Sequence, residues 1–190
     1  MKRKSLMTAT ASAAIALMAL TGCVTNSSPG FEAGQSPRSM EDGVATTMTA
    51  LYDSAPGSKE LAAKAQGILV FPRVVDGGVI VGGEYGRGAL TVDGRIVGTY
   101  KVTSISLGVQ AGLQSQSLIL MFMTQEALDR FTSGNGWTAG ADASVAIGRV
   151  GANGRLETLD DNGVVAFALT NAGLMAGAKV DGTRISKVTS

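Results

Sequence analysis

Three rhythms of apolar and polar residues follow one another along this chain of 190 residues. The first is a block: Leu6 to Leu20 is apolar apart from small polar residues, and Lys2, Arg3 and Lys4 precede it. That order, in a run too short to span a bilayer comfortably, predicts the hydrophobic region of a secretory signal. The second rhythm is helical. Met40, Val44, Met48 and Leu51 recur at spacings of four, four and three, which puts them on one helix face. Pro56-Gly57 breaks this run, and a second short helix is expected from Ser58 to Gln66, stopped by Gly67.

Beyond Gly67 the period becomes two. Ile105, Leu107, Val109, Ala111 and Leu113 alternate with Ser104, Ser106, Gly108, Gln110 and Gly112, the mark of a half-buried strand. Ala141, Ala143, Val145 and Ile147 alternate in the same way around Asp142 and Ser144, and Leu174, Ala176, Ala178 and Val180 repeat the pattern. Leu118 to Met123 and Val164 to Leu169 are continuous apolar runs, expected as central strands covered on both faces. Turns are expected at Asp76-Gly77-Gly78, Asp93-Gly94, Asn153-Gly154 and Asn162-Gly163. One helix should follow Thr124, with Glu126 in its first turn, Leu128 and Phe131 facing inward and Gly134 ending it. The fold class is therefore α+β: a mostly antiparallel sheet, N-terminal helices, and one helix inserted between strands. Gly108, Gly112, Gly173 and Gly177 on the non-apolar strand faces predict a strongly curled, near-barrel sheet. A transmembrane barrel is disfavoured, because nine aromatic residues are too few for two girdles.

The apolar block ends on Leu20-Thr21-Gly22-Cys23, which resembles a bacterial lipobox. A diacylglyceryl group on the Cys23 thiol and cleavage just before it are expected, with palmitate-type acyl chains as the membrane anchor. Three segments follow: a signal peptide over 1–22, a lipidated flexible tether over 23–39 and one domain over 40–190. The tether is rich in Ser, Gly, Pro and Asn and reaches about 20–25 Å as a random coil. In Gram-negative lipoproteins an aspartate after the cysteine favours inner-membrane retention. Val24 stands there, so the outer membrane is expected, with the domain facing the periplasm.

Composition narrows the chemistry. Loss of Lys2, Arg3 and Lys4 leaves 13 of the 16 basic residues against 15 acidic ones, a net charge of −2 that offers no case for nucleic acid. Cys23 is the only cysteine, so no disulfide forms within one chain. There is no histidine, which removes the commonest general base and neutral metal ligand. Phosphate-loop, calcium-loop and S-x-x-K patterns are missing too, so no enzyme activity, cofactor or metal is expected. The glycine-rich Gly82-Gly83-Glu84-Tyr85-Gly86-Arg87-Gly88 fits no dinucleotide register and reads as a closely packed turn.

Gly67 to Gly151 resembles the SYLF domain family. The resemblance runs through Ala65-Gln66-Gly67-Ile68-Leu69-Val70-Phe71-Pro72, Val81 to Gly88, Gly108-Val109-Gln110-Ala111-Gly112, and Leu118 to Phe131. Its most distinctive segment is Gly140-Ala141-Asp142-Ala143-Ser144-Val145-Ala146, and Gly173-Leu174-Met175-Ala176-Gly177 is similar as well. The resemblance implies lipid association, since eukaryotic members bind phosphoinositides and, in one branch, actin.

The leading expectation is thus a non-enzymatic, membrane-anchored lipoprotein whose domain meets phospholipid headgroups. Arg87 is the first candidate, because a guanidinium grips phosphate bidentately. Lys101 extends it as a cation, with Arg149 and Arg155 as possible members of one basic face. Trp137 is the candidate for an interfacial ring, with core packing as its rival role. Asp142 either organises the sheet or serves a site. The alternative function is a structural module that binds an envelope protein or peptidoglycan through an exposed sheet edge.

Overall fold

The computed structural model describes residues 37–76, 84–104, 115–134, 136–153, 155–158, 163–175 and 180–189, all within one compact unit, Gly34–Ser190. The signal segment, Cys23 and most of the tether lie outside the described residues. So do the strand expected over 105–113, the glycines at 77, 78, 82, 83, 108, 112, 154 and 177, and Ala176 and Ala178.

Helix α1 spans Pro37–Ser54. Proline suits a first helical turn, where no intrahelical partner awaits its missing N–H. Met40, Met48 and Leu51 are buried and Val44 is half-buried, as their spacing requires. After Pro56 and Gly57 (φ 94°), α2 covers only Ser58–Ala62 rather than reaching Gln66. The Gln66 N–H instead donates to the Phe122 carbonyl at 2.8 Å, drawing the chain into the sheet. Gly67 opens a strand: a Cβ there would lie 2.8 Å from Leu128, so close packing against a helix is what needs glycine.

The strands are β1 (Gly67–Asp76), β2 (Glu84–Val92), β3 (Arg95–Ser104), β4 (Gln116–Phe122), β5 (Trp137–Thr138), β6 (Ala146–Val150), β7 (Leu156–Thr158), β8 (Val164–Thr170), β9 (Gly173–Leu174) and β10 (Arg184–Lys187), with α3 (Gln125–Ser133) between β4 and β5. They form one sheet in the order β5-β10-β3-β2-β1-β4-β8-β6-β7, with β9 on β8. Pairing is antiparallel throughout except between β6 and β8. The apolar runs of β4 and β8 are adjacent central strands, as expected. Asp93 (φ 50°) and Gly94 (φ 73°) close the β2–β3 hairpin with two left-handed residues.

The sheet is open, with β5 and β7 at its ends, and the near-barrel expectation is corrected. Helices supply the reason. One core cluster joins Leu128 and Phe131 of α3 to Leu69, Leu90, Tyr100, Leu120, Phe122, Trp137 and Ile185 on one sheet face. The other joins Met48 and Leu51 of α1, Ala55 just after it and Ala62 of α2 to Val70, Ile119, Met121, Val165 and Phe167 on the opposite face. A sheet covered by helices on both faces buries its apolar surface without curling onto itself. Several glycines serve close approach instead: a Cβ at Gly148 would enter the Phe167 ring.

Helix α3 matches its expectation closely. Thr124 caps it by accepting the Ala127 N–H at 3.2 Å, and Phe131 stacks among Tyr100, Phe122 and Trp137 with ring centroids 4.9, 4.7 and 5.7 Å away. Burial there pushes the Tyr100 phenol above its ordinary pKa of 10.0. The alternating stretch from Ala141 to Val145 is a turn, not a strand. Gly140 turns with φ 82°, and the Asp142 carboxylate accepts the Thr138 N–H, which bends the chain until β6 begins at Ala146.

Candidate functional site

Strand β1 contains a proline in its interior, at Pro72. Proline cannot donate to a ladder, so it forces an irregularity there. The register with β2 slips between Val70 and Arg73, and that with β4 slips between Phe71 and Val74. Ser117 steadies the bulge by donating its hydroxyl to the Pro72 carbonyl at 2.8 Å. One extra residue reverses the facing of everything beyond it. Arg73 therefore shares a face with Val70, three positions earlier, where plain alternation would set it opposite.

That displacement completes a row. Arg73 stands directly opposite Arg87, Arg87 opposite Lys101, and Lys101 opposite Ser186, with Arg184 two residues from Ser186 on the same face. Paired residues on adjacent strands stand about 5 Å apart, so three cations succeed one another across three strands. Arg73, Lys101 and Arg184 are exposed and Arg87 is half-buried. Among the described residues, none of the four forms an ion pair or a side-chain hydrogen bond. The helices of the second core cluster cover this face over β1, β4, β6 and β8, and no residue of β2, β3 or β10 joins that cluster. Among the described residues, the row thus begins on β1 at the margin of that cluster and runs outward across β2 and β3.

Glycine on the face opposite Arg87 lets the strands approach. A Cβ at Gly86 would stand 2.7 Å from the Arg73 carbonyl, and one at Gly88 would overlap the Val70 carbonyl and the Phe71 ring. The Glu84–Gly88 segment, expected as a turn, is thus part of β2, its glycines shaped by the bulge opposite.

Of the residues singled out in the sequence, Arg87 and Lys101 are brought together. Trp137 is not. It is 3% exposed, pairs with Ile185 on the opposite face and packs edge-on against Phe131, so its interfacial role gives way to core packing. Arg149 sits on β6 beside Glu157 at 3.8 Å, and Arg155 lines an open cleft of about 570 Å³ with Glu60 and Lys64. Both belong to the far end of the sheet from Lys101. Asp142 is the turn-forming group described above. Arg73 and Arg184 were not singled out; Pro72 inside an apolar run was the signal for the first, since it marks a bulge.

The stretch from the end of β3 onward has a counterpart among known families. Residues 103–190 match the Ysc84 family model, described as Las17-binding protein actin regulator. The SYLF resemblance holds over that span. No curated protein matches the sequence. Arg184 lies inside the Ysc84 match, whereas Arg73, Arg87 and Lys101 precede it, so the cationic row joins matched and unmatched strands through the β3–β10 pairing. Among the described residues there is no group of three potential metal ligands, and no helix is long and apolar enough to cross a membrane.

Proposed function

We propose that this protein is a lipid-anchored component of the cell envelope whose Ysc84 region, with the strands before it, is a non-enzymatic module for anionic lipid surfaces. The observation that carries this reading is the row Arg73–Arg87–Lys101, with Arg184 beside it, running across β1, β2 and β3 with three of its four cations exposed. Guanidinium groups offer fork-shaped donors that match phosphodiester oxygens, and they shed water more readily than an ammonium. The anchor comes from Leu20-Thr21-Gly22-Cys23. A tethered domain sees its membrane at millimolar effective concentration, so a modest intrinsic affinity suffices. The Las17 and actin of the family description have no place in this reading, because the signal segment directs the chain out to an envelope without a cytoskeleton.

Flotation of the fragment 34–190, which contains both core clusters, tests the lipid part. It should rise with vesicles of phosphatidylcholine plus phosphatidylglycerol, stay down with phosphatidylcholine alone, and lose most binding at high salt. Failure to float with any phospholipid mixture overturns the reading.

A further inference from the structure

We infer that the β2–β3 hairpin lies flat on the bilayer, with Ile96 and Val97 entering the acyl region and Tyr85 resting at headgroup depth. This inference rests on the lipid reading above and names the element that makes the contact. Single exposed apolar residues are ordinary on a protein surface. Here they are gathered: among the described residues, the exposed large hydrophobics are Tyr85 (40%), Ile96 (37%) and Val97 (55%), all on one hairpin.

Their positions bracket the cations. Tyr85 precedes Arg87 by two residues and shares its face, and Ile96 pairs with Thr91 at the other end of that face. The strip from Tyr85 to Thr91 is about 20 Å long, with Arg87 and Lys101 inside it. Val97 is outside the pairing because the ladder slips there: Leu90 faces Gly98 and Thr91 faces Ile96, which leaves one residue extra. Asp93 and Arg95 offset one another at the turn, so the tip is electrically neutral and its contribution is apolar. Cations for phosphate, a tyrosine for the interface and two aliphatics for the hydrocarbon suit an anionic bilayer better than a soluble polyanion, which would leave the aliphatics in water.

The experiment compares fragment 34–190 with Val97→Asp and Arg87→Gln on phosphatidylcholine–phosphatidylglycerol vesicles across a salt series. Val97→Asp should bind at least tenfold more weakly at every salt concentration, whereas Arg87→Gln should lose affinity mainly at low salt. The fragment contains no cysteine, so a polarity-sensitive dye on Val97→Cys reports depth, with Asp53→Cys on α1 as the control. The dye at position 97 should shift blue on vesicles, and the one at 53 should not. If wild type floats but Val97→Asp floats equally and neither dye shifts, hairpin insertion is overturned while the lipid reading survives. If wild type binds no vesicle, both fall.

Discussion

Arg73, Arg87 and Lys101 stand in consecutive opposite positions, an arrangement that works against stability. Like charges directly across a ladder repel, and neutral partners would serve the sheet better. Arg87→Gln, which removes the middle charge and keeps a long polar side chain, should raise stability by about 0.2–1 kcal/mol at low ionic strength. Chemical denaturation with and without added salt checks this, and the gain should fade as salt screens the row. The same variant should bind anionic vesicles less well. Opposite effects on stability and binding are the signature of charges retained for a partner. Trp137 has the reverse character: buried against Phe131, it reports core packing rather than contact with a surface.

At the scale of elements, β1 and β2 are shaped by each other. Pro72 creates the bulge, the bulge carries the β1 backbone toward β2, and Gly86 and Gly88 leave room for it. Gly88→Ala should therefore cost about 1–3 kcal/mol through overpacking against Phe71, read as a lowered midpoint of thermal unfolding. Gly94→Ala tests a different cause. Nothing lies within 4 Å of that position, so its cost should come from the positive φ alone, about 1 kcal/mol. Helix α3 was legible because its cap, its inward pair and its final glycine are all local signals. The turn at 140–145 was not, because alternation of small residues resembles a strand until a side chain such as Asp142 binds the backbone four residues back.

At the scale of the whole molecule, the proposed function gives the domain and the Cys23 anchor separate tasks. On the proposed reading, acyl chains on Cys23 hold the protein to the membrane, since each buried methylene contributes about 0.8 kcal/mol, and the hairpin sets how the domain lies upon it. Cys23→Ser should abolish incorporation of a labelled fatty acid and leave the precursor uncleaved, as seen by gel mobility. On the same reading, with Val24 after the cysteine, wild type should fractionate with the outer membrane in a Gram-negative host; recovery mainly in the inner membrane contradicts that sorting.

Sequence by itself determined what depends on neighbours along the chain: the apolar face of α1, the cap of α3, the two runs that became β4 and β8, and the α+β class. It also picked out Arg87, in a glycine-rich segment, and Lys101, as one cation of a basic face that included Arg149 and Arg155. What only the tertiary structure decided depends on register. Arg73 joins the row because of one extra residue in β1, Arg184 because β10 returns from the end of the chain to pair with β3, and Trp137 leaves it because Ile185 carries it to the other face. Openness of the sheet was decided there too. Glycines fit both a curled sheet and a close crossing, and local sequence does not distinguish them until helices are seen to cover both faces.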